Sequence, residues 1–177
     1  MNNDLEIRIR ARVRDVPDFP NPGIVFKDIT PLLGDPLLFR EVTETLAQRF
    51  ASAGVTHVAA IESRGFLLGA PVAQHLGVAL VLLRKPGKLP WTTLRESYAL
   101  EYGRDALEVH TDAMSASSVL LVVDDVLATG GTAAAACALV ERCGARVAGI
   151  AMLMELAFLN GRARLPGRRI STLVTFS

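Results

Sequence analysis

The stretch that decides the fold is Val122-Val123-Asp124-Asp125-Val126-Leu127-Ala128-Thr129-Gly130-Gly131-Thr132. It begins as an apolar strand, ends that strand in two adjacent carboxylates, and passes through a turn of small residues into a predicted helix. The two glycines permit close backbone approach and unusual dihedral angles. A helix that starts at such a turn offers free N–H groups and the positive end of its dipole, which favour a phosphate.

The same order of strand, turn, helix and strand occurs twice. The first unit has strands at 58–61 and 78–83 around a helix at 66–76 that Gly77 ends. The second unit has strands at 119–124 and 147–153 around a helix at 132–143. Strands joined in this way pair in parallel through right-handed crossovers. The pattern predicts an α/β fold, a parallel sheet with helices on both faces, whose ligands bind at the carboxyl ends of the strands.

The remaining segments are predicted as follows. Residues 3–13 form a charged helix, residues 16–23 are a proline-rich ordered loop, and a second helix runs from Pro36, capped by Asp35, to about residue 53. A polar insertion at 84–112 is predicted to be a long loop, which in a compact domain is usually functional or disordered. The length of 177 residues predicts one domain, 1–177, with a helix and hood segment at 1–34.

Charge and hydropathy exclude several classes of protein. The formal net charge is +1, which argues against a general nucleic-acid binder. No apolar run reaches the ~18 residues of a membrane span. The first fourteen residues are charged throughout, without the apolar core of a signal peptide. We therefore expect a cytoplasmic protein with no nucleic-acid or membrane partner.

The paired aspartates distinguish this turn from other phosphate-binding loops. Asp124 and Asp125 would repel a phosphate, but they suit hydrogen bonds from the vicinal hydroxyls of a ribose. Phosphate on the turn and diol on the acids together describe a 5-phosphoribosyl group. A Walker A loop would need lysine where Gly131 stands, and no G-x-G-x-x-G fingerprint is present. A purely structural glycine turn would explain a bare Gly-Gly pair, but hardly the whole string.

The string resembles the phosphoribosyl pyrophosphate-binding motif of the type I phosphoribosyltransferases. Other stretches resemble the adenine phosphoribosyltransferases in particular, and the resemblance runs from about residue 8 to about residue 160. It implies a central parallel sheet with helices on both faces, a small N-terminal hood and a flexible catalytic loop at 84–112. The stretches that carry it are Val16-Pro17-Asp18-Phe19-Pro20, Gly23-Ile24-Val25-Phe26-Lys27-Asp28-Ile29-Thr30-Pro31, Glu62-Ser63-Arg64-Gly65-Phe66, Arg84-Lys85-Pro86-Gly87-Lys88-Leu89-Pro90 and Ser97-Tyr98-Ala99-Leu100-Glu101-Tyr102-Gly103.

The resemblance also implies roles for individual residues. Catalysis falls to Glu101, acting on the imidazole protons of the purine, and to Arg64 at the leaving group. The peptide bond before Ser63 is often cis in the family. The 5′-phosphate is expected on Ala128, Thr129, Gly130, Gly131 and Thr132, and the ribose hydroxyls on Asp124 and Asp125. Pyrophosphate is expected on Glu62, Ser63, Arg64, Arg84, Lys85 and Lys88, and adenine on Val25, Phe26, Lys27 and Leu156.

The implied activity joins adenine to phosphoribosyl pyrophosphate, giving AMP and pyrophosphate, in a homodimer. Mg²⁺ is the expected cofactor, held through substrate and water with no direct protein ligand, since it prefers phosphate oxygens and waters to an all-protein cage. The sequence departs from the family at Lys27, where arginine is frequent, and at Val126, where leucine is frequent. Lys27 is expected to act through its backbone, so neither change affects the chemistry.

Other interpretations remain open at this point. From the residues alone, Phe26 fits a core aromatic, Glu101 a surface glutamate, and the cations at 84–88 a solvated loop. A transferase for guanine, hypoxanthine or xanthine would need a side-chain cation for the 6-oxo group, and the sequence offers no clear candidate near Leu156. A phosphoribosyl pyrophosphate-sensing regulator would need a DNA-binding segment or a basic face, which the net charge of +1 does not favour.

Overall fold

The computed structural model describes residues 3–99 and 104–177. Glu101 therefore lies outside the described residues. The chain divides into two compact units, Met1–Thr43 and Glu44–Ser177. The larger unit contains the sheet that the sequence predicts.

The smaller unit begins with helix α1, Asn3–Arg12, close to the predicted 3–13. Strands β1, Arg14–Pro17, and β2, Val25–Asp28, then pair as an antiparallel ribbon. The prediction of a loop from residue 16 was thus wrong for Val16 and Pro17, because a proline is tolerated in a strand with an unpaired side. A one-turn helix α2, Thr30–Leu33, follows the ribbon.

Helix α3, Pro36–Gln48, starts as predicted but ends early. The Leu38 N–H donates to Asp35 Oδ1 at 3.1 Å, so Asp35 caps the helix. The helix was expected to reach about residue 53. Instead the hydrogen-bond spacing shortens after Gln48 from four residues to three, as the Phe50 N–H donates to the Ala47 carbonyl at 3.0 Å. The turn buries Phe50 completely.

A parallel five-stranded sheet in the order β4-β3-β7-β8-β9 forms the centre of the larger unit. The four strands of the two predicted units are confirmed, and the prediction of an α/β fold with a parallel sheet is correct. The edge strand β9 was not predicted. The strands are β3, His57–Ile61; β4, Ala79–Leu83; β7, Val119–Leu127; β8, Arg146–Leu156; and β9, Ile170–Phe176.

Two helices cover opposite faces of this sheet. Helix α4, Arg64–Leu76, packs so closely that a Cβ on Gly69 would lie 2.5 Å from the Ala60 Cβ. Helix α5, Gly131–Arg142, packs on the other face in a cluster that includes Ala59 and Val122. No helix in the described ranges is long and apolar enough to cross a membrane.

The polar insertion is mostly a β-hairpin rather than a loop. Strands β5, Thr93–Ala99, and β6, Arg104–His110, pair in antiparallel register. Leu107 and Val109 are fully buried in the α5 cluster, which anchors the hairpin to the sheet. The alternation of these apolar residues with polar ones accounts for the strand.

Candidate active site

Two turns meet where neighbouring strands of the sheet end. The Ser-Arg turn, residues 62–65, follows β3, and the Gly-Gly turn, residues 128–132, follows β7. Because β3 and β7 pair directly, both turns reach the same edge of the sheet. They enclose a cavity of about 290 Å³, which is lined by residues from both.

The Gly-Gly turn presents unpaired backbone donors to this cavity. Gly130 has φ +79°, a conformation that favours glycine, and α5 begins at the next residue without a side-chain cap. The first intrahelical bond recorded there is from the Ala134 N–H to the Gly130 carbonyl, at 2.9 Å. The N–H groups of the first helical residues therefore have no partner within the helix, and they form a seat for an anion.

Asp124 and Asp125 lie at the floor of the cavity. Burial raises the pKa of Asp124 well above its ordinary value, and the adjacent Asp125 carboxyl raises it further. Burial also raises the pKa of Asp125, although the Arg64 guanidinium opposes that rise. Arg64 Nε lies 3.0 Å from Asp125 Oδ2, but this buried oxygen accepts no hydrogen bond from the described residues. The two adjacent carboxyl groups thus supply oxygen acceptors to the cavity.

The Ser-Arg turn begins the second helix at the cavity. The peptide bond between Glu62 and Ser63 is cis, as the resemblance implied. Helix α4 starts at Arg64, and Ser63 makes no side-chain cap. A Cβ on Gly65 would lie 2.8 Å from Asp124 Oδ1, so only glycine allows this close approach. The cavity therefore lies between two helix N-termini, both free of side-chain caps.

Glu62 holds the cationic segment that follows β4. Its Oε2 accepts a hydrogen bond from Arg84 Nε at 2.9 Å and another from the Lys85 N–H at 2.9 Å. Arg84 also donates to the Lys88 carbonyl at 3.1 Å. Since Glu62 is itself an anion, this geometry suits the orientation of cations rather than direct contact with pyrophosphate.

Lys85 is tied to the hairpin by two residues that the sequence did not indicate. Lys85 Nζ donates to the Tyr98 hydroxyl at 2.9 Å and contacts Asp105 Oδ2. Burial would lower the pKa of Lys85, but its hydrogen bonds to Asp105 and Tyr98 raise it overall. Burial would likewise raise the pKa of Asp105, but the Lys85 hydrogen bond brings it below its ordinary value. Only the folded hairpin reveals these partners, because they lie 13 and 20 residues away.

The residues predicted to read a purine lie on β2 in the smaller unit. Phe26 is half-buried and meets Phe19 edge to face at 5.1 Å between ring centroids. Lys27 Nζ pairs with Asp15 Oδ1 at 2.6 Å, which occupies its ammonium group. Among the described residues no strand other than β1 pairs with β2.

Leu156 is the last residue of β8 and is half-buried. Its neighbour Glu155 is only 7% exposed, and both of its carboxylate oxygens accept hydrogen bonds from Arg162. The distances are 2.8 Å to Nε and 2.7 Å to Nη2. Arg162 is thus a cation near Leu156 that the sequence analysis missed. The turn after β8 brings Arg162 back to Glu155, and this contact cannot be read from the sequence.

The structure brings most of the predicted site residues together. Six predicted residues in the described part of the chain do not line the cavity: Val25, Phe26, Lys27, Arg84, Lys88 and Leu156. Four other described residues line it without having been predicted as site residues: Val126, Leu127, Ala133 and Met152. In the ranges 3–99 and 104–177 no three histidine, cysteine, aspartate or glutamate side chains form a metal site. The predicted residues on the cavity wall are Glu62, Ser63, Arg64, Lys85, Asp124, Asp125, Ala128, Thr129, Gly130, Gly131 and Thr132.

Comparison with known families and proteins identifies the family of the chain. A family model described as a phosphoribosyl transferase domain matches residues 29–168. The chain is 57% identical over 168 residues to an adenine phosphoribosyltransferase of Anaeromyxobacter dehalogenans, covering 95% of this chain and 98% of that protein.

Solved structures agree over nearly the whole chain. The adenine phosphoribosyltransferase of Rhodothermus marinus superposes with a TM-score of 0.95 at 49% identity, covering 99% of this chain and 100% of that one. The Saccharomyces cerevisiae enzyme superposes with a TM-score of 0.90 at 37% identity, covering 97% and 99%. The yeast structure is a complex with D-2,5-dideoxy-2,5-imino-altritol 1,6-bisphosphate and adenine.

Proposed function

The chain belongs to the phosphoribosyltransferase family, among the adenine phosphoribosyltransferases, and we propose that it performs their reaction in purine salvage. It transfers the 5-phosphoribosyl group of phosphoribosyl pyrophosphate to adenine and releases AMP and pyrophosphate. One observation carries the proposal. Two uncapped helix N-termini flank a buried pair of carboxylates in a single cavity. That order matches a sugar with phosphate at one end, diphosphate at the other and a diol between them.

Each part of the cavity takes one part of the substrate. The Gly-Gly turn binds the 5′-phosphate through backbone N–H groups and the hydroxyls of Thr129 and Thr132. Asp124 and Asp125 accept hydrogen bonds from the ribose hydroxyls. The Ser-Arg turn binds pyrophosphate through its backbone and Arg64, with Arg84, Lys85 and Lys88 completing the cationic side. Glu62 acts on pyrophosphate indirectly, because its carboxylate orients Arg84 and Lys85.

The reaction builds positive charge on the ribose ring as pyrophosphate departs. Carboxylates near the sugar and cations near the leaving group both interact more strongly with that transition state than with the substrate. Arg64 Nε lies 3.0 Å from Asp125 Oδ2. Bound pyrophosphate would compete with Asp125 for this guanidinium, which frees the carboxylate for the diol.

The donor set of the cavity fits Mg²⁺ held through the substrate. Asp125 Oδ2 is buried and accepts no hydrogen bond from the part of the chain that the structure describes, and the neighbouring carboxylate supplies further hard oxygen acceptors. Mg²⁺ would supply neutralisation of the diphosphate charge, with Asp124 and Asp125 contacting its waters. The protein residues bind the diol and orient the sugar.

Adenine specificity would come from the backbone of β2. The Val25 and Lys27 main chains offer both a donor and an acceptor, a pattern that suits N1 and the 6-amino group and that 6-oxo purines invert. Phe26 would stack on the ring, and Leu156 is the other proposed adenine contact. A 6-oxo purine would need a cation for its oxygen, and Arg162 already donates both of its recorded bonds to Glu155.

Proton transfer at the purine is assigned to Glu101, in the connection between β5 and β6. Neither turn at the sheet edge supplies a carboxylate free of the sugar and the cations. The two strands that flank Glu101 in the sequence are tied to Lys85, a proposed pyrophosphate ligand, through Tyr98 and Asp105. Closure of the predicted catalytic loop at 84–112 over the site would exclude water and prevent hydrolysis of the activated sugar.

A homodimer in the cytoplasm completes the proposal. Three large apolar side chains on α4 and β4 are unusually open to solvent: Leu67, Leu80 and Leu82 are 46%, 41% and 39% exposed. Two-fold dimers are the commonest soluble oligomers, and such a surface suits one. The proline-rich segment at 16–23 is the second surface to examine. Sedimentation velocity is expected to give a dimer, and an active monomer would contradict it.

The direct test supplies adenine, phosphoribosyl pyrophosphate and Mg²⁺ to the purified protein and follows AMP and pyrophosphate separately. The proposal predicts both products in equal amounts, and little of either after chelation of the metal. The Asp124→Asn variant provides the matched control for contaminating activity. Release of pyrophosphate without AMP would indicate hydrolysis of the sugar diphosphate and contradict the assignment.

A further inference from the structure

Two glycine-containing segments touch backbone to backbone behind the Gly-Gly turn. After β8 the chain forms two short 3₁₀ helices, Ala157–Leu159 and Gly161–Arg164. A Cβ built on Gly161 would lie 2.2 Å from the Ala128 carbonyl oxygen, and a Cβ on Gly130 would lie 2.2 Å from the Gly161 oxygen. Gly161 therefore supports the Gly-Gly turn from outside the cavity, at a distance that no side chain permits.

The position of Gly161 depends on the residues that follow it. Arg162 donates two charge-assisted hydrogen bonds to the buried Glu155 carboxylate, at 2.8 and 2.7 Å. Leu165 is 2% exposed within the α5 cluster, and its N–H donates to the Arg162 carbonyl at 2.9 Å. The second 3₁₀ helix is thus held at both ends, by an ion pair to β8 and by a core leucine.

We infer that the Glu155–Arg162 ion pair is a positioning element for phosphoribosyl pyrophosphate. It fixes Gly161 against Ala128 and Gly130, and so sets the shape of the backbone that receives the 5′-phosphate. Neither charged residue lines the cavity, so the pair acts through the turn and not on the substrate. This inference rests on the proposed function, since it assigns a phosphate to the Gly-Gly turn.

The ion pair differs from an ordinary surface pair in geometry and burial. Exposed pairs contribute ~0–1 kcal/mol to stability, and many contribute nothing measurable. Here the Glu155 side chain is 9% exposed, although that of Arg162 is 47% exposed. The two carboxylate oxygens accept from two parallel donors of the guanidinium, which fixes the direction of Arg162 as well as its distance. Directional control of the neighbouring Gly161 follows from this bidentate geometry.

The first set of variants separates the ion pair from its surroundings. Arg162→Ala is expected to raise the KM for phosphoribosyl pyrophosphate ~10-fold or more, because small misplacements of binding groups have large kinetic effects. Arg162→Lys keeps the positive charge but loses the bidentate hydrogen bonds to Glu155. Its KM for phosphoribosyl pyrophosphate should lie between those of wild type and Arg162→Ala. Arg164→Ala, an exposed arginine in the same 3₁₀ helix, is the matched control and should leave this KM within ~2-fold of wild type.

A double variant separates positioning from stability. Arg162→Ala leaves a buried carboxylate unpaired and is expected to lower Tm. Glu155→Gln combined with Arg162→Ala removes that charge, so Tm should recover while the KM for phosphoribosyl pyrophosphate stays raised. Recovery of both quantities together would show that the pair only stabilises the fold, and would overturn the inference.

A variant of the contact itself keeps the test open if Arg162→Ala does not fold. Gly161→Ala leaves the ion pair intact but places a methyl group 2.2 Å from the Ala128 oxygen, so the Gly-Gly turn must move. It should weaken ribose 5-phosphate binding ~10-fold or more in calorimetry, with little change in adenine KM. Unchanged binding would overturn the inference, whereas a wild-type protein that binds no ribose 5-phosphate would instead count against the proposed function.

Discussion

The two turns at the sheet edge are built alike, but their donor groups have different partners. Each follows a parallel strand and starts a helix without a side-chain cap. The N–H groups at the start of α5 have no partner within the helix, whereas Arg64 of the Ser-Arg turn is paired with Asp125 and the nearby Arg84 with Glu62. The 5′-phosphate thus meets a preformed seat, while pyrophosphate must take cations from protein carboxylates. This difference indicates that the 5′-phosphate anchors the substrate, and that Arg64 and Arg84 exchange their carboxylate partners for pyrophosphate.

Neither turn carries the proposed proton-transfer group, Glu101. The largest predicted effect is therefore the loss of turnover when Glu101 is replaced. Glu101→Gln keeps size and polarity but removes the base, so turnover should fall ~10²-fold or more while the KM for phosphoribosyl pyrophosphate changes little. Glu101→Leu should behave alike. Steady-state kinetics with a single-turnover measurement are required, because product release can limit the wild type. A full single-turnover rate in Glu101→Gln would leave catalysis to the two turns alone.

The carboxylate pair between the turns gives the next effect. Asp124→Asn and Asp125→Asn should each lower kcat/KM for phosphoribosyl pyrophosphate by ~10- to 100-fold, since hydrogen bonds to charged groups contribute ~1.5–3 kcal/mol. Folding should not suffer. Burial disfavours the ionised form of Asp124 in the folded protein relative to the unfolded chain and so raises its pKa, and Asp124→Asn should therefore have an equal or higher Tm. Unchanged kinetics in both variants would make the acids structural.

The same raised pKa values predict a pH dependence of substrate binding. A carboxyl whose folded-state pKa is raised becomes protonated at a higher pH than the ~3.9 of an ordinary aspartate. Protonation removes an acceptor for the ribose hydroxyls. The KM for phosphoribosyl pyrophosphate should therefore rise as pH falls toward the ~3.9 of an ordinary aspartate, and the rise should begin at a higher pH than an unshifted carboxyl would give. The KM for adenine should stay nearly constant. A flat profile for both substrates over this range would contradict the assignment of the diol to these acids.

The effect of pH on folding stability is opposite to its effect on substrate binding, because protonation of Asp124 weakens binding but stabilises the folded state. The contribution of Asp124 is fully present below its unfolded-state pKa and is lost as pH rises through the raised folded-state pKa. The Tm advantage of Asp124→Asn over wild type should accordingly be largest near neutral pH and should disappear below ~4. Paired thermal melts across this range measure the difference directly.

The smallest predicted effect concerns the cation that the hairpin holds. Asp105→Asn removes the anion that pairs with Lys85 and leaves its ammonium freer for pyrophosphate. Because partly exposed ion pairs contribute little, product inhibition by pyrophosphate should tighten by no more than ~5-fold. Tyr98→Phe removes a neutral partner of the same lysine and serves as the control. Weaker pyrophosphate binding in Asp105→Asn would mean that the ion pair presents Lys85 to the ligand and does not withhold it.

The sequence predicted those parts of the fold that are encoded locally. Strands β3 and β7 are apolar runs that end at turn residues, and α4 ends at Gly77 with φ +67°, as its glycine suggests. Strand β9 was missed because only Leu173 and Val174 in it are buried, so its pattern is that of an edge. The hairpin was missed because its polar residues outweigh the buried Leu107.

Within the site, the motif identified the residues that face the ligand but not their partners. Asp124, Asp125 and the Gly-Gly turn are contiguous in sequence and need no fold to be recognised. The hold of Asp105 on Lys85 and the pairing of Arg162 with Glu155 depend on how the hairpin and the chain after β8 fold back. Such contacts leave no local periodicity or spacing, so only the folded chain reveals them.

The identity of the base is the most direct test of the account. An equimolar mixture of adenine, guanine, hypoxanthine and xanthine is supplied with phosphoribosyl pyrophosphate and Mg²⁺, and the nucleotides are separated by mass. Backbone recognition by Val25 and Lys27 predicts AMP as the product, favoured by ~10⁴-fold or more, since a site that hydrogen-bonds a polar group strongly rejects its analogue. GMP or IMP formed as fast as AMP would contradict the account.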